Sequence, residues 1–222
     1  MRDALVEKLK DEFGDRLISV GLHNVGVTSF IEKNGLFVVL DAVEPEDIFA
    51  VKRVYIKYKK NFTTPLVVDE HFFENSKDVF CMEILEMKEN SEIIYGKNPF
   101  KNIEISDDDL KSQIKHELFS KFLALKGAFV DLPLERKVID SITYRSLYNF
   151  LLIMRNMLRL KDKLINDETL IEKFEEMFDV KLEAFKTLRD SSKMPFDRLI
   201  EVFKKYLKEI ETIEKVFNTH FS

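Results

Sequence analysis

Cysteine occurs once in this 222-residue chain, tryptophan never, glycine six times and proline five. A single cysteine, Cys81, excludes an internal disulfide and any zinc site built from several thiolates. Set in the apolar run Val79 to Met87, it reads as a buried, inert thiol. So few turn residues over such a length disfavour a loop-rich or low-complexity chain and favour helix. No apolar run approaches the ~20 residues needed to span a bilayer, and Met1-Arg2-Asp3 opens an amphipathic pattern without a signal-like apolar core. A cytoplasmic protein without a membrane partner is expected. An excess of positive charge is missing too. With 35 Lys and Arg against 40 Asp and Glu the net charge is −5, which argues against indiscriminate nucleic-acid binding, a process driven by neutralising phosphates.

What is present is a core. Hydrophobic residues make up 45% of the chain and charged residues 34%, the balance of an ordered globular protein. Phenylalanine is used 20 times and reads as core filling before any base-stacking role. Leu5, Val6, Leu9 and Phe13 recur at helical spacing before Gly14, predicting an opening helix. Leu17–Leu22 and the wholly apolar Leu36–Leu40 predict strands, the second buried on both faces. Glu44-Pro45-Glu46-Asp47 begins a helix well, with proline in the first turn and acids at its positive end. Its buried stripe is expected to comprise Ile48, Val51, Val54, Tyr55 and Tyr58. The dense cations Lys52, Arg53, Lys57, Lys59 and Lys60 are the candidate for a local basic patch, but read first as a solvated helix face suited to the negative C-terminal dipole. Short strands are expected at Pro65–Val68 and Ile93–Tyr95, and a longer one at Val79–Met87.

From Ser106 the pattern changes. Ser106-Asp107-Asp108-Asp109 resembles a capping box with Asp in place of Glu, and a long helix should run to about Lys126 before Gly127 and Pro133. Val138, Ile142, Leu147, Leu151, Met154 and Leu158 mark a second. Asp167–Phe178 and Leu182–Leu188 read as shorter helices. Pro195 opens the last, whose Phe203, Tyr206, Ile210, Ile213 and Phe217 step by three and four in alternation. The fold class is α+β: a mixed-sheet domain over residues 1–104, then an all-α helical bundle over 105–222. Leu22, Val38, Leu40, Ile84, Leu123, Leu151 and Phe203 are expected in the cores. The stripe from Leu199 to Phe217 is also the candidate surface for a homodimer through the C-terminal helices.

Phe80-Cys81-Met82-Glu83-Ile84-Leu85-Glu86-Met87-Lys88, continuing to Tyr95-Gly96-Lys97-Asn98-Pro99-Phe100, resembles a late strand and a Tyr-Gly-x-Asp-Pro-type turn. Both belong to bacterial proteins with the nucleotidyltransferase fold of the DNA polymerase β superfamily. Lys121-Phe122-Leu123-Ala124-Leu125 follows at a comparable distance, and a helical bundle behind such a domain is similar to the layout of antibiotic nucleotidyltransferases. The resemblance implies a Gly-Ser loop that admits a triphosphate, two alternate Asp entering the second strand to hold divalent metal, and a third carboxylate from a later strand.

The residues here depart from that pattern. His23-Asn24-Val25-Gly26 stands where the Gly-Ser loop belongs, leaving Asn24 and Gly26 as the candidates for cofactor contact. Lys33 and Gly35 occupy the paired-Asp positions. Asp41 comes at the far end of the strand, Glu83 is the candidate third carboxylate, and Asn98 replaces the Asp of the turn. The expectation is a degenerate nucleotidyltransferase-like protein with no cofactor, acting as a binding or regulatory module. The alternative is an active transferase that uses magnesium and an NTP through a displaced acidic set, Asp41 and Glu83, to modify a small molecule or protein. His23, His71, His116 and His220 show no metal-ligand spacing. Arg155 lacks the histidine four to six residues on that the helical HEPN ribonucleases require.

Overall fold

In a computed structural model that describes residues 1–24, 34–161, 169–191 and 194–221, the chain divides into two compact units, Met1–Ser106 and Asp107–Ser222. The first contains helix α1 (Arg2–Phe13), strands β1 (Leu17–His23) and β2 (Gly35–Leu40), helix α2 (Pro45–Tyr55), strand β3 (Leu66–Asp69), helices α3 (Phe72–Asn75) and α4 (Cys81–Glu89), and strand β4 (Glu92–Gly96). The sheet order is β3-β2-β1-β4. The pairs β1–β2 and β1–β4 are antiparallel, whereas β2–β3 is parallel and is joined through α2.

Strand β2 is buried at all six positions because the sheet is covered on both sides. Leu36, Val38 and Leu40 join the core formed with α1 and α2. Phe37 and Val39 point the other way, toward Phe73, Ile84 and Phe100. Phe37 lies directly across from Gly21 in the register, and a Cβ at Gly21 would come within 2.1 Å of its ring. At the turn after β4, Gly96 adopts φ 78°, and a Cβ there would strike the Ile18 carbonyl. Asn98 shapes the same turn by accepting a hydrogen bond from the Phe100 amide at 2.8 Å.

The segment expected to form a strand at Val79–Met87 is instead α4. Its apolar residues Cys81, Ile84 and Met87 fall at i, i+3 and i+6, and the intervening Glu, Met and Leu are strong helix formers. Glu83 and Glu86, three apart, therefore share a side of a helix and do not alternate across a strand. Helix α2 also differs from expectation. It buries Asp47, Ala50, Val51 and Val54, while Ile48 is exposed.

The second unit contains α5 (Asp107–Asp131), α6 (Arg136–Arg159), α7 (Leu170–Phe178), α8 (Glu183–Asp190) and α9 (Phe196–His220), with no strand among its described residues. Gly127 does not end α5, which continues through Phe129, stacked on Phe203 at 4.8 Å. One glycine costs a helix about 1 kcal/mol, which such packing offsets. The α9 stripe is the centre of this core. Phe203, Tyr206, Ile210, Ile213 and Phe217 are fully buried, and Tyr206 sits among Phe150, Phe185 and Phe203. Leu22, Val38, Leu40, Ile84, Leu151 and Phe203 are buried as expected. Leu123 is not: it is 71% exposed on the outer side of α5, because Phe122 and Leu125 take the inward positions.

Candidate functional site

The loop expected to resemble a phosphate cradle begins at the end of β1. His23 faces Gly35 on the paired strand so closely that a Cβ at Gly35 would come within 1.8 Å of its Nε2. Burial pushes the His23 imidazole below its ordinary pKa, partly opposed by a hydrogen bond with Asn24. Asn24 itself adopts φ 61°, a left-handed conformation that asparagine tolerates better than most residues. Gly26 lies outside the described residues, as do Val25, Glu32 and Lys33.

Asp41, the first of the two candidate carboxylates, has an identifiable task. Its Oδ1 accepts a hydrogen bond from Arg16 Nε at 3.1 Å and another from the Ala42 amide at 2.7 Å. The same guanidinium turns its Nη1 and Nη2 toward Asp47 at 3.0 and 2.8 Å and bonds the Ala42 carbonyl at 3.0 Å. Asp47 in turn accepts the Glu44 amide at 2.9 Å, satisfying a donor at the start of α2. Arg16 follows the first helix, Asp41 comes directly after β2 and Asp47 lies in the first turn of α2, so one guanidinium ties three elements together. The Arg16 hydrogen bond, then the Glu44 amide, hold the Asp47 carboxyl below its ordinary pKa.

Glu83, the second candidate, is exposed on α4 and reaches its position from a helix, not from a strand of the sheet. Among the described residues no group of three His, Cys, Asp or Glu side chains could hold a metal ion. Asn24, Asp41 and Glu83 thus occupy three different settings: a strand end, an arginine-bridged turn and a helix surface.

The second unit holds two features that the sequence reading did not single out. A cavity of about 350 Å³ is lined by Asp108, Lys111, Ser112 and Lys115 of α5 and by Phe217 and Phe221. The two lysines are four residues apart and share one side of the helix. Phe217 and Phe221 are stacked at 5.6 Å, and Lys161 lies 4.9 Å from the Phe221 ring centre. His220 is packed against Phe178 at 5.2 Å instead of lining the cavity. The lysine spacing was readable in the sequence, but the two aromatic residues that meet it come from the other end of the unit.

The other feature is a pair of carboxylates that serve the backbone. Glu209 of α9 accepts the Ala184 amide at 2.8 and 3.0 Å and the Phe185 amide at 3.1 Å, closing the start of α8. Glu175 accepts the Leu182 amide at 2.7 Å and pairs with Lys186 at 3.1 Å. Burial raises the Glu209 pKa, with the two amide bonds opposing it. These acids hold α7, α8 and α9 in place. The chain matches no protein-family model and none of the curated proteins.

Proposed function

We propose that the chain is a nucleotidyltransferase-like protein that has lost nucleotidyl transfer and acts as a binding or regulatory module. The observation that carries this reading is the Arg16 bridge. A carboxylate placed to help hold magnesium would need its negative charge directed at the metal, but the charge of Asp41 is already met by a guanidinium that also bonds Asp47. Loss of metal-ligand geometry leaves recognition as the use of the domain. The reading carries cytoplasmic residence with it, and the described residues include no helix long and apolar enough to cross a membrane.

Self-association through the C-terminal helices belongs to the same proposal, on a changed surface. The α9 stripe is consumed by its own core. On α5, however, Phe119, Leu123 and Val130 recur at i, i+4 and i+11 on the outer side, the last two 71% and 86% exposed. Calorimetry with magnesium and ATP tests the loss of transfer chemistry. No magnesium-dependent binding is expected, and tight binding abolished by Glu83→Ala supports the active transferase. Sedimentation tests association: a species that stays monomeric at micromolar concentration removes the homodimer.

A further inference from the structure

Helix α2 is apolar on two opposite sides. Its inward side buries Ala50, Val51 and Val54 in the core shared with α1 and the sheet, with Asp47 on the same side paired to Arg16. Directly opposite, Phe49, Lys52 and Ile56 align at i, i+3 and i+7, with Ile48 one turn before Lys52. Phe49 is 63% exposed, Ile56 53% and Ile48 47%. Single exposed apolar residues are ordinary on a protein surface, but two large ones on the outer side of this 11-residue helix and a third at the residue that closes it form a patch.

The cations gather at the C-terminal end of the patch, whereas exposed Glu46 stands one turn before Phe49 at its N-terminal end. Lys52 lies between Phe49 and Ile56, and the turn that follows the helix adds exposed lysines at 57, 59 and 60. Arg53 is held by Glu12. The side chains of Lys52 and of those three lysines make no hydrogen bond or ion pair among the described residues. A dipole-compensating role explains cations in the last turn. It does not explain the phenylalanine and two isoleucines interleaved with them. Aromatic anchors beside cations are what recognition surfaces use, the ring supplying buried area and the cations supplying steering and register.

We infer that the outer face of α2 docks an amphipathic, acidic segment of a partner protein. The apolar side of that segment would cover Ile48, Phe49 and Ile56, and its carboxylates would meet Lys52 and the lysines of the following turn. The surroundings favour a narrow segment over an anionic bilayer. Glu46 is exposed on α2 itself, Glu12 lies beside Arg53, and the chain carries −5 overall. A continuous anionic surface would be repelled by Glu46, whereas a peptide segment can place a neutral or basic residue opposite it and its carboxylates opposite the lysines. The inference holds whether or not the first unit descends from a nucleotidyltransferase.

A fluorescein-labelled peptide of roughly 18 residues, with leucines at i, i+3, i+4 and i+7 and glutamates elsewhere, is titrated with the full chain by anisotropy. Saturable binding is expected, weakening with salt as exposed charge pairs are screened. Phe49→Ser and Lys52→Glu should each weaken it by about tenfold or more with the circular dichroism spectrum unchanged. Lys57→Glu combined with Lys59→Glu provides the same test should Phe49→Ser misfold. Three results would overturn the inference. One is no peptide binding at ~100 μM protein, and another is binding that these variants leave intact. The third is cosedimentation with phosphatidylserine vesicles, lost in the same variants, without peptide binding.

Discussion

Helix α9 buries its apolar side chains inside its own unit, with Phe203, Tyr206, Ile210, Ile213 and Phe217 at 0% exposure, whereas α2 leaves Ile48, Phe49 and its C-cap Ile56 in solvent. Both helices are amphipathic by spacing, and both carry charged residues between the apolar ones. The difference lies in what surrounds them. Helices α5, α6 and α8 each bring a large ring against α9's stripe, Phe129, Phe150 and Phe185, so its apolar positions find neighbours. Helix α2 lies against a sheet, which covers one side of a helix and leaves the other open. Periodicity reports which residues share a side; only the tertiary arrangement decides how many sides are covered.

That contrast is most sharply tested by truncating one aromatic on each helix. Phe203→Ala should lower the unfolding free energy by about 3–5 kcal/mol in a urea titration, the cost of a cavity among packed rings. Phe49→Ala should change it by no more than about 0.5 kcal/mol, as expected for a surface position. Equal losses at the two sites would show that Phe49 is covered in solution.

The inner side of α2 yields the next effect. Asp47 is almost fully buried, bridged to Arg16, and accepts the Glu44 amide. Asp47→Ala should cost about 1–3 kcal/mol, since it leaves a helix-start donor and a guanidinium without their acceptor. Its folded pKa is lowered, so the carboxylate stabilises the fold above the ordinary Asp pKa. That contribution fades as pH falls through the lowered value. Asp47→Asn should flatten the acid limb of the stability profile accordingly.

A smaller effect belongs to the helical unit. Glu209→Ala removes the acceptor for the Ala184 and Phe185 amides and should cost roughly 0.5–2 kcal/mol, the usual range for a lost helix cap. Glu209→Gln keeps an acceptor oxygen and should cost less at neutral pH. Because burial raises the Glu209 pKa in the folded state, its contribution to stability grows as pH falls through that raised value. The glutamine variant should lose this gain.

Much of the fold was legible. The alternation of Leu36–Leu40 between two cores, the opening helix ended by Gly14, and the change to pure helix after Ser106 follow from apolar spacing and turn chemistry. Val79–Met87 misled because residues at i, i+3 and i+6 also pass for a broken alternation, and its Glu, Met and Leu content was outweighed by the flanking Val79 and Phe80. Leu123 misled because its neighbours Phe122 and Leu125 compete for the same interior. The candidate site was less legible. Arg16 is 25 residues before Asp41 and 31 before Asp47, and only β2 running back beside β1 brings the two carboxylates to it. The cavity at Lys111 and Phe217 has the same origin, two helices distant in sequence and adjacent in the unit.

We propose that Asp41 serves an arginine bridge and not a metal–nucleotide site. Urea unfolding of the chain with and without millimolar magnesium and ATP tests it directly, because a ligand bound only to the folded state stabilises it in proportion to its occupancy. Coincident transitions are predicted. A stabilisation of about 2.7 kcal/mol, expected where ligand exceeds its Kd a hundredfold, that vanishes on chelating magnesium and in Asp41→Asn would contradict the account.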